Sequence, residues 1–211
     1  MNTRDYKQFS PGCCYHIYNR SNDKRDIFLD DDDYGMFMLR LKQNLFPESY
    51  EKHRTPPLPT GSFSLVAYSL MPNHFHLKIR QNGDVPITKL MLRLCTSYSK
   101  YFNKRHDRIG HLFQDRYKTK LIDSNKYLLW VSAYIHLNSK LANPTVDPIS
   151  YKWSSLGEYA RGEDGICEKS VILKQFGSPR EYLKFVEESY QPLREKKLMD
   201  KELKELGVDL G

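Results

Sequence analysis

The feature that most constrains this chain is a pair of strand-like runs separated by one tight turn. SFSLVAYSLM at 62–71 has a strand pattern, Pro72-Asn73 signals a turn, and HFHLKIR at 74–80 alternates again. Runs of this kind joined by two turn residues predict an antiparallel hairpin. Within a strand, residues i and i+2 share a face. His74 and His76 therefore project together, while Phe75 points to the opposite side and packs.

The flanking segments supply the rest of a domain. CCYHIY at 13–18 reads as a strand, which the turn formers Asn19 to Asp23 break. A helix follows the acidic cluster Asp30 to Asp33, with Met36, Phe37, Leu39, Leu41 and Leu45 as its apolar face. Pro47 to Thr60 is a polar loop. A second helix over 86–104 puts Ile87, Leu90, Met91, Leu94 and Tyr98 on one side. After a basic turn from His106 to Gly110, residues 111–122 read as extended. Asp123-Ser124-Asn125 then offers a cap for a helix over about 126–139. The order strand, helix, hairpin, helix, strand, helix is α+β, and a ferredoxin-like antiparallel sheet with packed helices is its simplest arrangement. Residues 1–160 form this domain. Residues 161–211 are a C-terminal helical extension of open role, with a helix near 179–189 and a charged tail that suits a peripheral or partner-facing helix.

A chain of 211 residues suits one such domain with a short appendage. Its formal charge of +7 favours a polyanionic partner such as nucleic acid. No run of about 18 apolar residues is present, so no membrane span is expected. The opening MNTRDYKQFS lacks the apolar stretch of a secretory signal. The four cysteines form no C-x-x-C pair and read as small apolar fillers in a reducing cytoplasm.

Three groups of residues could carry chemistry. The co-facial imidazoles of His74 and His76 make a partial divalent-metal site, which needs a third ligand; a pair of partly exposed strand histidines has the same spacing. Tyr134 and Asn138 stand at i and i+4 of the helix over 126–139, placing a phenol beside an amide oxygen on one face. Taken alone, Tyr134 fits an ordinary half-buried core tyrosine. Tyr127 is the competing phenol, seven residues earlier, but Val131 stands at its i+4 position. In GHLFQDRYKTK at 110–120, Arg116, Lys118 and Lys120 alternate into a cationic stripe suited to a phosphate backbone, with Tyr117 and Thr119 facing away. A solvated edge strand looks the same. Asn19 and Arg20, in the loop ending the first strand, add to the same surface.

Four ordered blocks, MPNHFHL at 71–77, GHLFQDRYK at 110–118, YLLWVSAYIHLN at 127–138 and YKWSSL at 151–156, together with YHIYNRS at 15–21, resemble the REP-associated tyrosine transposases. These are relatives of the single-tyrosine insertion-sequence transposases, and the resemblance spans roughly residues 10–160. It implies a histidine–hydrophobic–histidine (HUH) endonuclease core in which His74, His76 and Asn138 bind Mg²⁺ or Mn²⁺. It selects Tyr134 as the nucleophile that cuts single-stranded DNA, leaving a 5′-phosphotyrosine and a free 3′-hydroxyl. It further implies a homodimer, in which a helix of one subunit can complete the other's site, and a hairpin-forming repeated palindrome as target in the bacterial, nucleoid-associated cytoplasm. Where the family runs Asn-Pro-Val, this chain has Asn138-Ser139-Lys140, so the helix can continue past Asn138. Two other functions fit parts of the pattern. One is a catalytically silent DNA-hairpin binder. The other is a zinc hydrolase, for which no H-E-x-x-H or nearby carboxylate motif supplies a base.

Overall fold

The computed structural model describes residues 9–51, 55–162 and 164–205. The expectations about the first eight residues and about the tail past 205 lie outside the described residues. Strands β1 (Cys14–Arg20), β2 (Phe63–Met71), β3 (His74–Gln81) and β4 (Lys118–Ile122) form one antiparallel sheet in the order β2-β3-β1-β4. Helices α1 (Asp31–Leu45) and α2 (Ile87–Arg105) connect β1 to β2 and β3 to β4. This is the ferredoxin-like α+β fold.

The two faces of the sheet have different duties. On one, Ile17, Phe75, Leu77 and Ile79 are fully buried, and Phe75 packs on Phe37 of α1 with ring centroids 5.0 Å apart. On the other lies α3 (Asn125–His136). Lys78, of opposite strand parity to Phe75, donates from Nζ to Leu128 O at 2.6 Å and Ser132 Oγ at 2.7 Å. The bonds tie the sheet to α3 and satisfy a fully buried amine. Burial lowers the Lys78 pKa to about 7.

Local chemistry sets the helix ends. The Asp30 side chain accepts from the backbone N–H groups of Asp32 and Asp33 to start α1, and Ser124 Oγ accepts from Tyr127 N to start α3. Gly110 adopts φ +96°, a conformation that favours glycine, where the chain turns after α2. Beyond α3 come α4 (Asn138–Ala142), α5 (Leu156–Arg161), α6 (Ser170–Leu173), α7 (Pro179–Glu188) and α8 (Tyr190–Glu205). Ser155 N donates to Tyr68 O and Glu168 N to Leu65 O, covering the outer edge of β2. Tyr182 of α7, fully buried, meets the His136 ring of α3.

Several expectations need correction. Asn19 and Arg20 are the last two residues of β1, paired with Phe75 and His74, not part of a loop. Only 118–122 of the extended segment pairs as a strand. The preceding residues wrap the end of β1, with Asn22 N bonded to Leu112 O and Gln114 N to Arg20 O. Arg116 therefore lies ahead of β4. On α1 the buried positions include Tyr34 and Met38, while Met36 is half-buried and Leu39 exposed. The helix over 126–139 is interrupted at Leu137, then resumes as α4.

Candidate active site

The β1–β3 register sets Tyr18 opposite His76 and Arg20 opposite His74. All four side chains lie on the α3 face, because antiparallel partners share a face. His74 and His76 meet edge to face, with centroids 5.2 Å apart. The Tyr134 ring stands edge-on to His76 at 5.3 Å. Asn138 Oδ1 lies 3.1 Å from His74 Nε2, and the Asn138 amide acts on the Tyr134 phenol to lower its pKa. One chain thus brings together Tyr134, His74, His76 and Asn138. Tyr127 does not join them: Lys120 Nζ sits over its ring at 5.3 Å.

Burial governs the charges here. It lowers the pKa of His74, with partial compensation from the Asn138 contact. It lowers that of His76 well below the ordinary value, helped by the charges of His16 and His74. The same desolvation raises the Tyr134 pKa against the Asn138 hydrogen bond, which favours the phenolate. Near neutral pH the imidazoles are metal-competent bases and the phenol is protonated.

The donor set suits a hard divalent cation. His74 Nδ1 lies 2.6 Å from Asn73 Oδ1, and its Nε2 faces the Asn138 oxygen. A neutral imidazole has one N–H for those two oxygens, so one contact is left with lone pairs facing. A cation between Nε2 and Oδ1 resolves that conflict. Adjacent ligands of an ion with bonds of about 2.1 Å lie about 3 Å apart, matching the observed separation. Among the described residues no three His, Cys, Asp or Glu side chains converge at ligand spacing. A site here uses the asparagine amide instead.

The remaining expected DNA contacts separate. Lys118 and Lys120 are exposed on the α3 face of β4, opposite Tyr18 and His16. Arg20 is exposed, its Nε bonded to Gln114 Oε1. Arg116 is exposed in the loop before them. Asn19 is buried on the other face, donating to Asp115 O at 3.1 Å and accepting from Arg20 N at 2.9 Å. Its amide is occupied within the protein, which removes it from the exposed surface. Nor does His136 reach the site: its nitrogens face Tyr182 Oη at 2.6 Å and Ser155 Oγ at 2.8 Å.

Sequence reasoning missed two contributors. His16 Nε2 lies 2.9 Å from His76 Nδ1, a contact that only the β1–β3 pairing reveals. Lys197 of α8 donates to Leu141 O at 2.9 Å, and its charge acts on both His74 and His76. Nothing local in the charged tail marks that lysine.

Comparisons with known proteins bear on the fold and the family. The solved structure of a REP-associated tyrosine transposase bound to a REP hairpin is 16% identical, with a TM-score of 0.55 over 77% of this chain and 88% of that one. A candidate transposase from Deinococcus radiodurans is 15% identical, covering 61% of this chain and 92% of that one at a TM-score of 0.40. The curated proteins give no match. Among the described residues no helix is long and apolar enough to cross a membrane. A family profile described as IS200-like transposase matches residues 10–138, which include His74, His76, Tyr134 and Asn138, and the chain belongs to that family.

Proposed function

We propose that this protein cuts and rejoins single-stranded DNA at hairpin-forming palindromes, using Tyr134 as nucleophile beside a cation held by His74, His76 and Asn138. The observation that carries the reading is the meeting of an edge-on phenol, one buried and one half-buried imidazole and an amide oxygen on one sheet face. The hairpin substrate is proposed by analogy with the REP-bound transposase of similar fold.

The chain's own residues account for most of the work. Asn138 stands between the two groups, its oxygen toward His74 and its amide acting on the Tyr134 phenol one helical turn before it. Bound Mg²⁺ or Mn²⁺ would polarise the scissile phosphate and offset charge developing on it. Tyr134 Oη would attack phosphorus as the 3′-oxygen leaves, the phenol losing its proton and the leaving oxygen gaining one, to give a 5′-phosphotyrosine and a 3′-hydroxyl; the retained ester lets the reaction reverse without a nucleotide cofactor. Lys118, Lys120, Arg116 and Arg20 would hold the backbone. Their contribution falls steeply as salt rises. One chain supplies all four core residues in this arrangement.

The test is a labelled single-stranded palindrome incubated with protein and Mn²⁺, then run on a denaturing gel. A covalent complex is expected, and EDTA should prevent it. Hairpin binding with no adduct at any metal concentration would favour the catalytically silent binder instead.

A further inference from the structure

His16 has no part in the chemistry above, yet its ring lies within hydrogen-bond distance of a proposed ligand. Its Nε2 lies 2.9 Å from His76 Nδ1, and the rings are nearly parallel, 5.1 Å apart at 22°. Tyr18 stacks on His16 at 5.0 Å and holds the ring in place. His16 is 8% exposed and His76 6%. A neutral imidazole carries one N–H and one lone pair.

Two neutral imidazoles in this contact share one hydrogen. If His16 donates, His76 keeps its own hydrogen on Nε2 and has no free lone pair for a cation. If His76 donates from Nδ1, its Nε2 lone pair is free. His16 commits its Nε2 to the contact with His76. We propose that His16 is a positioning residue that accepts the Nδ1–H of His76 and locks it in the tautomer whose Nε2 can bind a divalent cation. Asn73 Oδ1 stands in the same relation to His74, 2.6 Å from its Nδ1. Each imidazole of the pair would then be oriented from behind by an acceptor, as metal-bound histidines commonly are.

The inference rests on the metal reading, and the experiment separates the two. Nitrogen-resolved NMR of the histidine rings in the metal-free wild-type protein should find the His76 hydrogen on Nδ1. A hydrogen on Nε2 overturns the inference, whatever becomes of the variants. Mn²⁺ titration followed by EPR should show His16→Leu binding about 10- to 100-fold more weakly. His16→Gln, which keeps an acceptor oxygen, should recover most of that loss. Equal affinity in wild type and a folded His16→Leu overturns the role of His16 alone. Absence of Mn²⁺ binding by the wild type overturns the metal reading and this inference with it.

Discussion

At the scale of single residues, Asn138 has two jobs, which substitution can separate. Its oxygen faces His74 and its amide lowers the pKa of the Tyr134 phenol. Asn138→Asp keeps an oxygen ligand and adds charge, so Mn²⁺ binding should hold or tighten, because hard cations favour carboxylates. Asn138→Ala should weaken it at least about 10-fold, the lower bound for losing even an outer partner of a metal site. Equal Mn²⁺ affinity in both variants, read by titration, would remove Asn138 from the ligand set. His76→Ala should likewise lose metal-dependent cleavage, and unchanged Mn²⁺ dependence would refute its assignment. Tyr134→Phe removes only the hydroxyl of a half-buried ring. The covalent DNA complex should vanish while hairpin affinity, measured by gel shift, stays within about twofold, since phosphate contacts supply most of the binding. Binding lost together with the adduct would point to a collapsed site.

At the scale of elements, the helices are held to one another and to the sheet by a few buried polar anchors. Asp33, fully buried at the start of α1, accepts from Arg105 Nη1 at 2.7 Å and from Leu29 N at 2.9 Å, and lies 3.0 Å from His106 Nε2. It fastens the end of α2 to the beginning of α1. Asp33→Ala strands those donors and should cost about 3 kcal/mol in urea unfolding. A loss under about 1 kcal/mol would mean that Asp30 and Asp32, which also bind Arg105, carry the junction. The elements most visible in the sequence were those whose periodicity is backed by a local stop signal. The hairpin was legible because Pro72-Asn73 separates two alternating runs, and all five residues expected on the inner face of α2 are fully buried. On α1 the expectation missed Tyr34 and Met38, since aromatic packing against Phe28 and Trp153 decides which side of that helix is covered. The 111–117 segment looked extended because it alternates. Its backbone bonds go to the end of β1 rather than into the ladder.

At the scale of the whole molecule, the residues alone showed the paired histidines and the phenol–amide pair as separate motifs, and only the family resemblance joined them in one site. Their meeting depends on the β1–β3 register and on α3 crossing the sheet face, which are long-range facts. The packing of the C-terminal segment on α3 was hidden for the same reason: Tyr182 is 46 residues from His136 in the chain yet lies 2.6 Å from its ring nitrogen. Burial lowers the His136 pKa from 6.5 to about 3. The unfolded chain therefore binds more protons between those values, so the stability from a neutral His136 is complete above about pH 6.5 and lost as pH falls toward 3. Acidifying from pH 7 to pH 5 should cost the wild type about 2 kcal/mol more in urea unfolding than it costs His136→Gln. Equal losses would show that this histidine does not couple folding to acid. The account as a whole turns on which atom joins the DNA. The adduct formed with Mn²⁺ should be trimmed by nuclease and trypsin, and the peptide from Tyr127 to Lys140, which holds both competing tyrosines, sequenced by tandem mass spectrometry. The account predicts the nucleotide on Tyr134. A nucleotide on Tyr127, or on a residue outside this peptide, would contradict it.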